Sequence, residues 1–143
     1  MAGLLVPEDL ELVEDLGLAD VFHFHGFVSY QKCIELVLAA SMVLLVLPKS
    51  YTNVVGSKLY FYLGQRKNVL ALVPEGDAGD IIKRVNAGIV VDPDDVDQIA
   101  KLIDQWLSSD DVLEVNYNVA EWGKLSRESQ AEKIVAIINK GFC

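Results

Sequence analysis

Gly56, Ser57 and Lys58 stand directly after a run of uncharged residues and directly before a segment with helical character, 57-SKLYFYLGQR-66. A glycine lets a ligand approach the backbone, and the first turn of a helix presents N–H groups without intrahelical partners and a partial positive charge. With a lysine beside them, these residues suit an anion, and phosphate is the anion that fits best. Small residues before a helix are also ordinary capping residues, so the signal is not specific by itself.

Charge distribution points to the same place. The chain has 143 residues and a formal net charge of -9. From Leu36 to Pro74 there is no Asp or Glu, whereas Lys49, Lys58, Arg66 and Lys67 lie there. An acidic chain repels nucleic acid, which is excluded as a general partner. One segment able to accept an anion remains.

Other chemistry is thinly represented. His23 and His25 alternate on one face of an expected strand but lack a third ligand, so no metal site is expected. Asp92, Asp94 and Asp95 read as helix-capping carboxylates rather than a cation site. Cys33 falls on an apolar helical face and Cys143 at the terminus, a pattern of free thiols rather than of a disulfide framework. No nucleophile and base pair can be assigned, and the catalytic residues are left unassigned.

The elements that must position Gly56 to Lys58 follow from periodicity. Apolar runs of strand length, 21-VFHFHGFV-28, 42-MVLLVL-47, 68-NVLALV-73 and 88-GIVV-91, alternate with helical segments. The middle runs are apolar on successive positions, as in strands covered on both faces. The pattern predicts an α/β fold with a parallel sheet flanked by helices. Ser29 caps a helix over 29–40, Asp77 caps one ending at Asn86 and Gly88, and Asp92 with Pro93 opens another. Pro7 to Leu16 forms a helix stopped by Gly17. Ser126 starts a last helix whose Ile134, Val135, Ile137 and Ile138 seek an apolar neighbour. The segment 108–125 reads as helix plus loop.

Open parallel sheets bind ligands beyond the carboxyl ends of their strands. Three segments meet there in such a fold: 26-GFVSY-30, 48-PKSYTNVVGS-57 and 74-PEGDA-78. The second is longer than the usual βα connection, which favours a functional loop. No apolar run reaches the ~20 residues of a membrane span, and no signal peptide is evident, so the chain reads as cytoplasmic.

The ordered set "FHGFVSYQKCIELVLAASMVLLVLP" and "GSKLYFYLGQRKNVLALVPEGDAGDIIKRVNAGIVVDPDD" resembles the donor-binding C-terminal domain of retaining group-1 (GT4-type) glycosyltransferases of the GT-B fold. The resemblance covers roughly residues 18 to 107. It implies a single Rossmann-like domain over 1–143 that binds a nucleotide-diphospho-sugar, lacking most of its first strand and the N-terminal acceptor-binding domain. That missing domain is then a partner, and the isolated chain is expected to be inactive. The full enzyme would be a hexosyltransferase of polysaccharide or glycoconjugate biosynthesis, cytoplasmic or peripheral at the membrane. The donor is a substrate, and no cofactor is implied.

By the same resemblance, the backbone of Gly26, Phe27 and Val28 meets the base. Val55, Gly56, Ser57 and Lys58 meet the diphosphate, and Glu75 faces the sugar or acceptor side. Two positions depart from the family pattern. Phe61 stands where a Glu commonly accepts the ribose hydroxyls, and Asn53 where an earlier Glu contacts the donor sugar. A ring cannot take the two charge-assisted hydrogen bonds of a carboxylate, so weak or altered donor binding is expected. Two other readings follow from the same residues: a non-catalytic relative acting as a binding or interaction module, and a nucleotide-sugar epimerase-like domain. A half-enzyme also exposes apolar surface, which favours self-association.

Overall fold

A computed structural model describes residue 3 and residues 6–108 and 115–141. The chain divides into two compact units, Met1–Ala39 and Ala40–Cys143.

The first unit contains two helices. α1, Pro7–Asp15, begins with Pro at its first position, where the missing N–H costs nothing, and Glu8 and Asp9 face the positive end of its dipole. It stops at Gly17, whose φ of 66° is open to a residue without Cβ. α2, Tyr30–Ala39, is capped as its sequence predicts: the Ser29 hydroxyl accepts from the N–H of Lys32 at 3.2 Å.

Between these helices the expected strand is absent. Residues 21–28, expected as a strand, form neither helix nor strand. A strand exists only by hydrogen bonding to another, and no strand of this unit's described residues offers a partner. The stretch's contacts include the backbone bond from Gly3 N–H to Gly26 C=O at 2.8 Å and the stacked rings of Phe22 and Phe24 with centroids 5.9 Å apart. His23 and His25 therefore share no strand face, and no group of metal-ligating side chains occurs among the described residues.

The second unit holds the core. Three parallel strands, β1 (Met42–Val46), β2 (Asn68–Leu72) and β3 (Gly88–Val91), lie in the order β1-β2-β3. Their register pairs Leu44 with Leu70 and Leu70 with Ile89. α3 (Ser57–Gly64) and α4 (Asp77–Val85) are the crossovers, and they supply the largest buried side chains: Leu59, Leu63, Ile82 and Val85 join Val69 and Val73 of the sheet. Burial of each such side chain contributes roughly 1.5–3 kcal/mol. The chain thus has a Rossmann-like parallel sheet flanked by helices.

The strands are not all covered alike. β2 is buried on both faces over Val69, Leu70 and Ala71, as its continuous apolar run predicts. In β1, Val43 and Leu45 are buried but Leu44 and Val46 are about half exposed, so only one face of this edge strand is covered.

Two caps differ from expectation. α4 is preceded by Gly76, not Asp77, and Asp77 and Asp80 occupy its first turn. α5, Val96–Ser108, starts later than Asp92: the Asp92 carboxylate instead closes a turn by accepting from Asp94 N–H at 2.9 Å, and Asp95 accepts from Gln98 N–H at 3.1 Å. The side chain three residues before a free N–H wins the cap, which Asp95 satisfies and Asp92 does not.

A short α6, Val119–Gly123, and a final α7, Arg127–Gly141, complete the unit. The Asn118 side chain accepts from Glu121 N–H, and Ser126 Oγ accepts from Ser129 N–H at 3.1 Å, capping each. The segment before α6 is tied down by Asn118 N–H to Val85 C=O at 2.7 Å and by Tyr117 Oη to Lys67 C=O at 2.7 Å. α7 buries none of its residues: Ile134, Val135, Ile137 and Ile138 are all exposed. No described helix is long and apolar enough to cross a membrane. Cys33 is a half-buried free thiol, and Cys143 lies outside the described residues.

Candidate functional site

The loop from Leu47 to Gly56 leaves the carboxyl end of β1 and delivers the chain to α3. It is fixed at its middle by the next loop: the Asp77 N–H donates to the Thr52 carbonyl at 3.0 Å. This contact requires Gly76, whose φ is 146° and where a Cβ would lie 2.0 Å from the Thr52 oxygen.

The joined loops line a pocket of about 630 Å³ at the carboxyl ends of β2 and β3, bounded by Asn53, Glu75, Asp80, Lys83 and Asp92. Asn53 and Glu75, 22 positions apart in sequence, are thus brought together. Asp80 and Lys83 come from the exposed face of α4, one turn apart, opposite its buried Ile81, Ile82 and Val85. Acid, amide and ammonium groups around an open cavity suit a hydroxyl-rich ligand. Sequence reasoning did not single out Asp80, Lys83 or Asp92 for this pocket. For Asp80 and Lys83 the only local signal was the amphipathic spacing of α4, and Asp92 read as a capping carboxylate.

Beyond this pocket, α3 begins as predicted at Ser57. Gly56 is its N-cap with extended backbone, φ -70° and ψ 149°, and no side chain caps the helix. Lys58 is exposed and has no ion-pair partner among the described residues. Of the other three cations of the acid-free segment, two have partners elsewhere and the third lies apart from Ser57. Lys49 pairs with Asp94 and lies 3.8 Å from Asp92, and these contacts raise its pKa, the Asp94 hydrogen bond most. Lys67 donates to the Ala40 carbonyl at 2.8 Å. Arg66, with φ 51°, lies past the opposite end of α3.

Ser57 and Phe61 share a second, ring-lined groove of about 780 Å³ with Tyr60, Trp122, Arg127 and Gln130. Phe61 is half-buried and its ring centroid lies 6.1 Å from that of Tyr62. The candidate residues therefore divide between two cavities, Asn53 and Glu75 in one, Ser57 and Phe61 in the other. Val55, Gly56 and Lys58 line neither. Gly26, Phe27 and Val28 belong to the first unit, where Phe27 is 84% exposed.

The succession of strand, loop, helix start and acidic glycine turn is characteristic enough to compare with known families. One family model, described as Glycosyl transferases group 1, matches residues 9–124. The chain belongs to this family of group 1 glycosyl transferases. The match runs from within α1 through α6 and takes in the lining of both cavities apart from Leu125, Ser126, Arg127 and Gln130. No curated protein and no solved structure gives a significant match. Glycosyl transfer is accordingly the chemistry to which this fold is adapted.

Proposed function

We propose that the chain binds a nucleotide-diphospho-sugar as the donor half of a hexosyltransferase of polysaccharide or glycoconjugate biosynthesis. The observation that carries this reading is the family match over residues 9–124. The pocket at the carboxyl ends of β2 and β3 supports it, because open α/β sheets take their ligands there. In this reading Asn53 and Glu75 meet hydroxyls of the sugar, and Val55, Gly56, Ser57 and Lys58 meet the diphosphate at the uncapped start of α3.

A second reading is favoured by Asn53 and Phe61, an amide and a ring at positions where an acid would serve the ligand's hydroxyls. It makes the chain a binding module without turnover. Calorimetric titration of the folded protein with uridine, guanosine and adenosine diphosphates and their hexose conjugates tests donor binding. Weak but saturable binding of one base series is expected, and no heat for any of them at millimolar ligand would overturn it. Hydrolysis or transfer of the bound conjugate by the isolated chain would show turnover and overturn the module reading.

A further inference from the structure

We propose that the open edge of β1 is a dimer interface, at which two copies of this chain pair their β1 strands antiparallel about a two-fold axis at Leu44. This goes beyond the donor-binding reading and does not depend on it.

Hydrogen bonding defines the free edge. β1 is the end strand of the sheet and pairs only with β2 among the described residues. The Leu47 N–H donates to the Leu72 carbonyl at 3.0 Å, so residue 47 turns its backbone polar groups toward β2. Backbone direction alternates along a strand, hence Val43 and Leu45 also face β2, and Met42, Leu44 and Val46 direct their N–H and C=O groups outward. The same three residues carry the less covered face of the strand. Leu44 is 52% and Val46 57% exposed and Met42 is half-buried, while Val43 and Leu45 are buried. Outward backbone groups and an apolar face thus lie together. Sheet edges are ordinarily guarded by a charged side chain, a proline or a bulge. Met42–Val46 is Met-Val-Leu-Leu-Val, in unbroken register with β2, and has none of these guards.

The occupant is a second copy because the strand complements itself. In an antiparallel register with Leu44 opposite Leu44 of the second copy, Met42 lies opposite Val46 and Val46 opposite Met42. Every outward-directed residue then falls at a hydrogen-bonded position, and the exposed side chains of both copies share one face. Val43 and Leu45 fall opposite each other on the buried face. A slip by one residue would set exposed against buried positions, so this register is specified. Charge permits the approach: a chain of net charge -9 repels its own copy, but Leu36 to Pro74 contains no Asp or Glu. The contact is isologous and closes at two copies, joining two sheets of three strands. Strands of the two copies run in opposite directions, so the pockets at the carboxyl ends of β2 and β3 lie at opposite ends of the joined sheet. Five residues a side is well short of the ~20–30 of a standard interface, which makes the dimer weak and concentration-dependent.

Sedimentation velocity of the full chain, from low-micromolar to near-millimolar concentration, should show the mass rising from that of one copy toward that of two. Leu44→Lys sets two ammonium groups against each other at the axis and should weaken dimerisation by about tenfold or more. Ile137→Lys, on the exposed apolar face of α7, should leave it unchanged. Amide hydrogen exchange of the wild-type chain at the two ends of that range supplies a readout without substitution. The amides of Met42, Leu44 and Val46 should exchange more slowly in the dimer, whereas that of Leu45, already bonded to β2, should be protected in both states. This pattern decides if Leu44→Lys fails to fold. A strict monomer throughout, a dimer abolished by Ile137→Lys but not by Leu44→Lys, or a dimer in which the three outward amides exchange as they do in the monomer overturns the β1 edge as the interface.

Discussion

The carbonyl oxygen of Thr52 and the α-carbon of Gly76 are in direct contact: a Cβ at residue 76 would lie 2.0 Å from that oxygen and 2.7 Å from its carbonyl carbon. The loop that leads to α3 and the loop that leads to α4 are thereby locked together, with Asp77 N–H bonded to the same carbonyl. The acid-lined pocket depends on this lock, since Asn53 comes from one loop and Glu75 from the other.

Gly76→Ala is expected to break the lock. The clash is with backbone, which cannot rotate away, and the left-handed φ adds strain of about 1–3 kcal/mol. Urea unfolding should show a loss of at least that order. Gly64→Ala, where a Cβ meets nothing within 4 Å, should leave stability unchanged or raise it by up to ~1 kcal/mol. Equal melting of Gly76→Ala and wild type would remove the lock from the account.

Lys58→Glu should abolish nucleoside diphosphate binding, whereas Lys140→Glu, in the last turn of α7, should leave it intact. The field of a helix end acts within about one turn, and a distant reversal of charge is screened over ~10 Å at ordinary ionic strength. Equal losses in the two variants would show that only net charge matters.

Tyr117 should set an alkaline limit to folding. Burial raises its pKa to about 12, opposed by the nearby charge of Arg66, and its hydroxyl donates to the Lys67 carbonyl. A phenol whose folded pKa exceeds its unfolded value stabilises the fold fully below the unfolded value of ~10 and loses that stabilisation as pH rises toward about 12. Tyr117→Phe should cost roughly 0.5–1.5 kcal/mol at neutral pH and flatten the loss of stability above pH ~10. Chemical denaturation across that range, with wild type and variant showing the same slope, would refute the assignment.

Glu121 should titrate below the usual carboxylate range. The hydrogen bond from Lys124 lowers its pKa most, and Arg84 at 3.5 Å adds to it. Its contribution to stability is present above the unfolded carboxyl pKa and is lost as pH falls through the folded value. Carbon-detected NMR titration should show a midpoint that rises toward the ordinary value in Lys124→Ala; an unchanged midpoint would sink this pairing.

Local signals were legible without the fold. Ser29, Ser126 and Asn86 each mark a helix end through a bond to backbone a few residues away, and all three do so in the structure. Continuous apolar runs at 42–47, 68–73 and 88–91 became β1, β2 and β3, although only β2 is buried on both faces as an unbroken run implies. Ser57 as the first residue of α3 was also legible, because Gly56 before it loses more backbone entropy in a helix than other residues and serves as N-cap.

What the sequence by itself determined is therefore the set of elements, their α/β order and the family to which they belong. Tertiary structure alone decided which residues share a cavity. Asn53 meets Glu75 only because Gly76 can touch Thr52, and Phe61 meets Trp122 and Arg127 only because residues 115–118 are tied to the ends of β2 and α4 by Tyr117 and Asn118. It also decided against a strand at 21–28, where alternating Phe and His satisfy a side-chain pattern but no strand among the described residues of that unit accepts the backbone hydrogen bonds. Periodicity is a property of a segment, whereas pairing and cavity lining are properties of contacts distant in sequence, which no local pattern encodes.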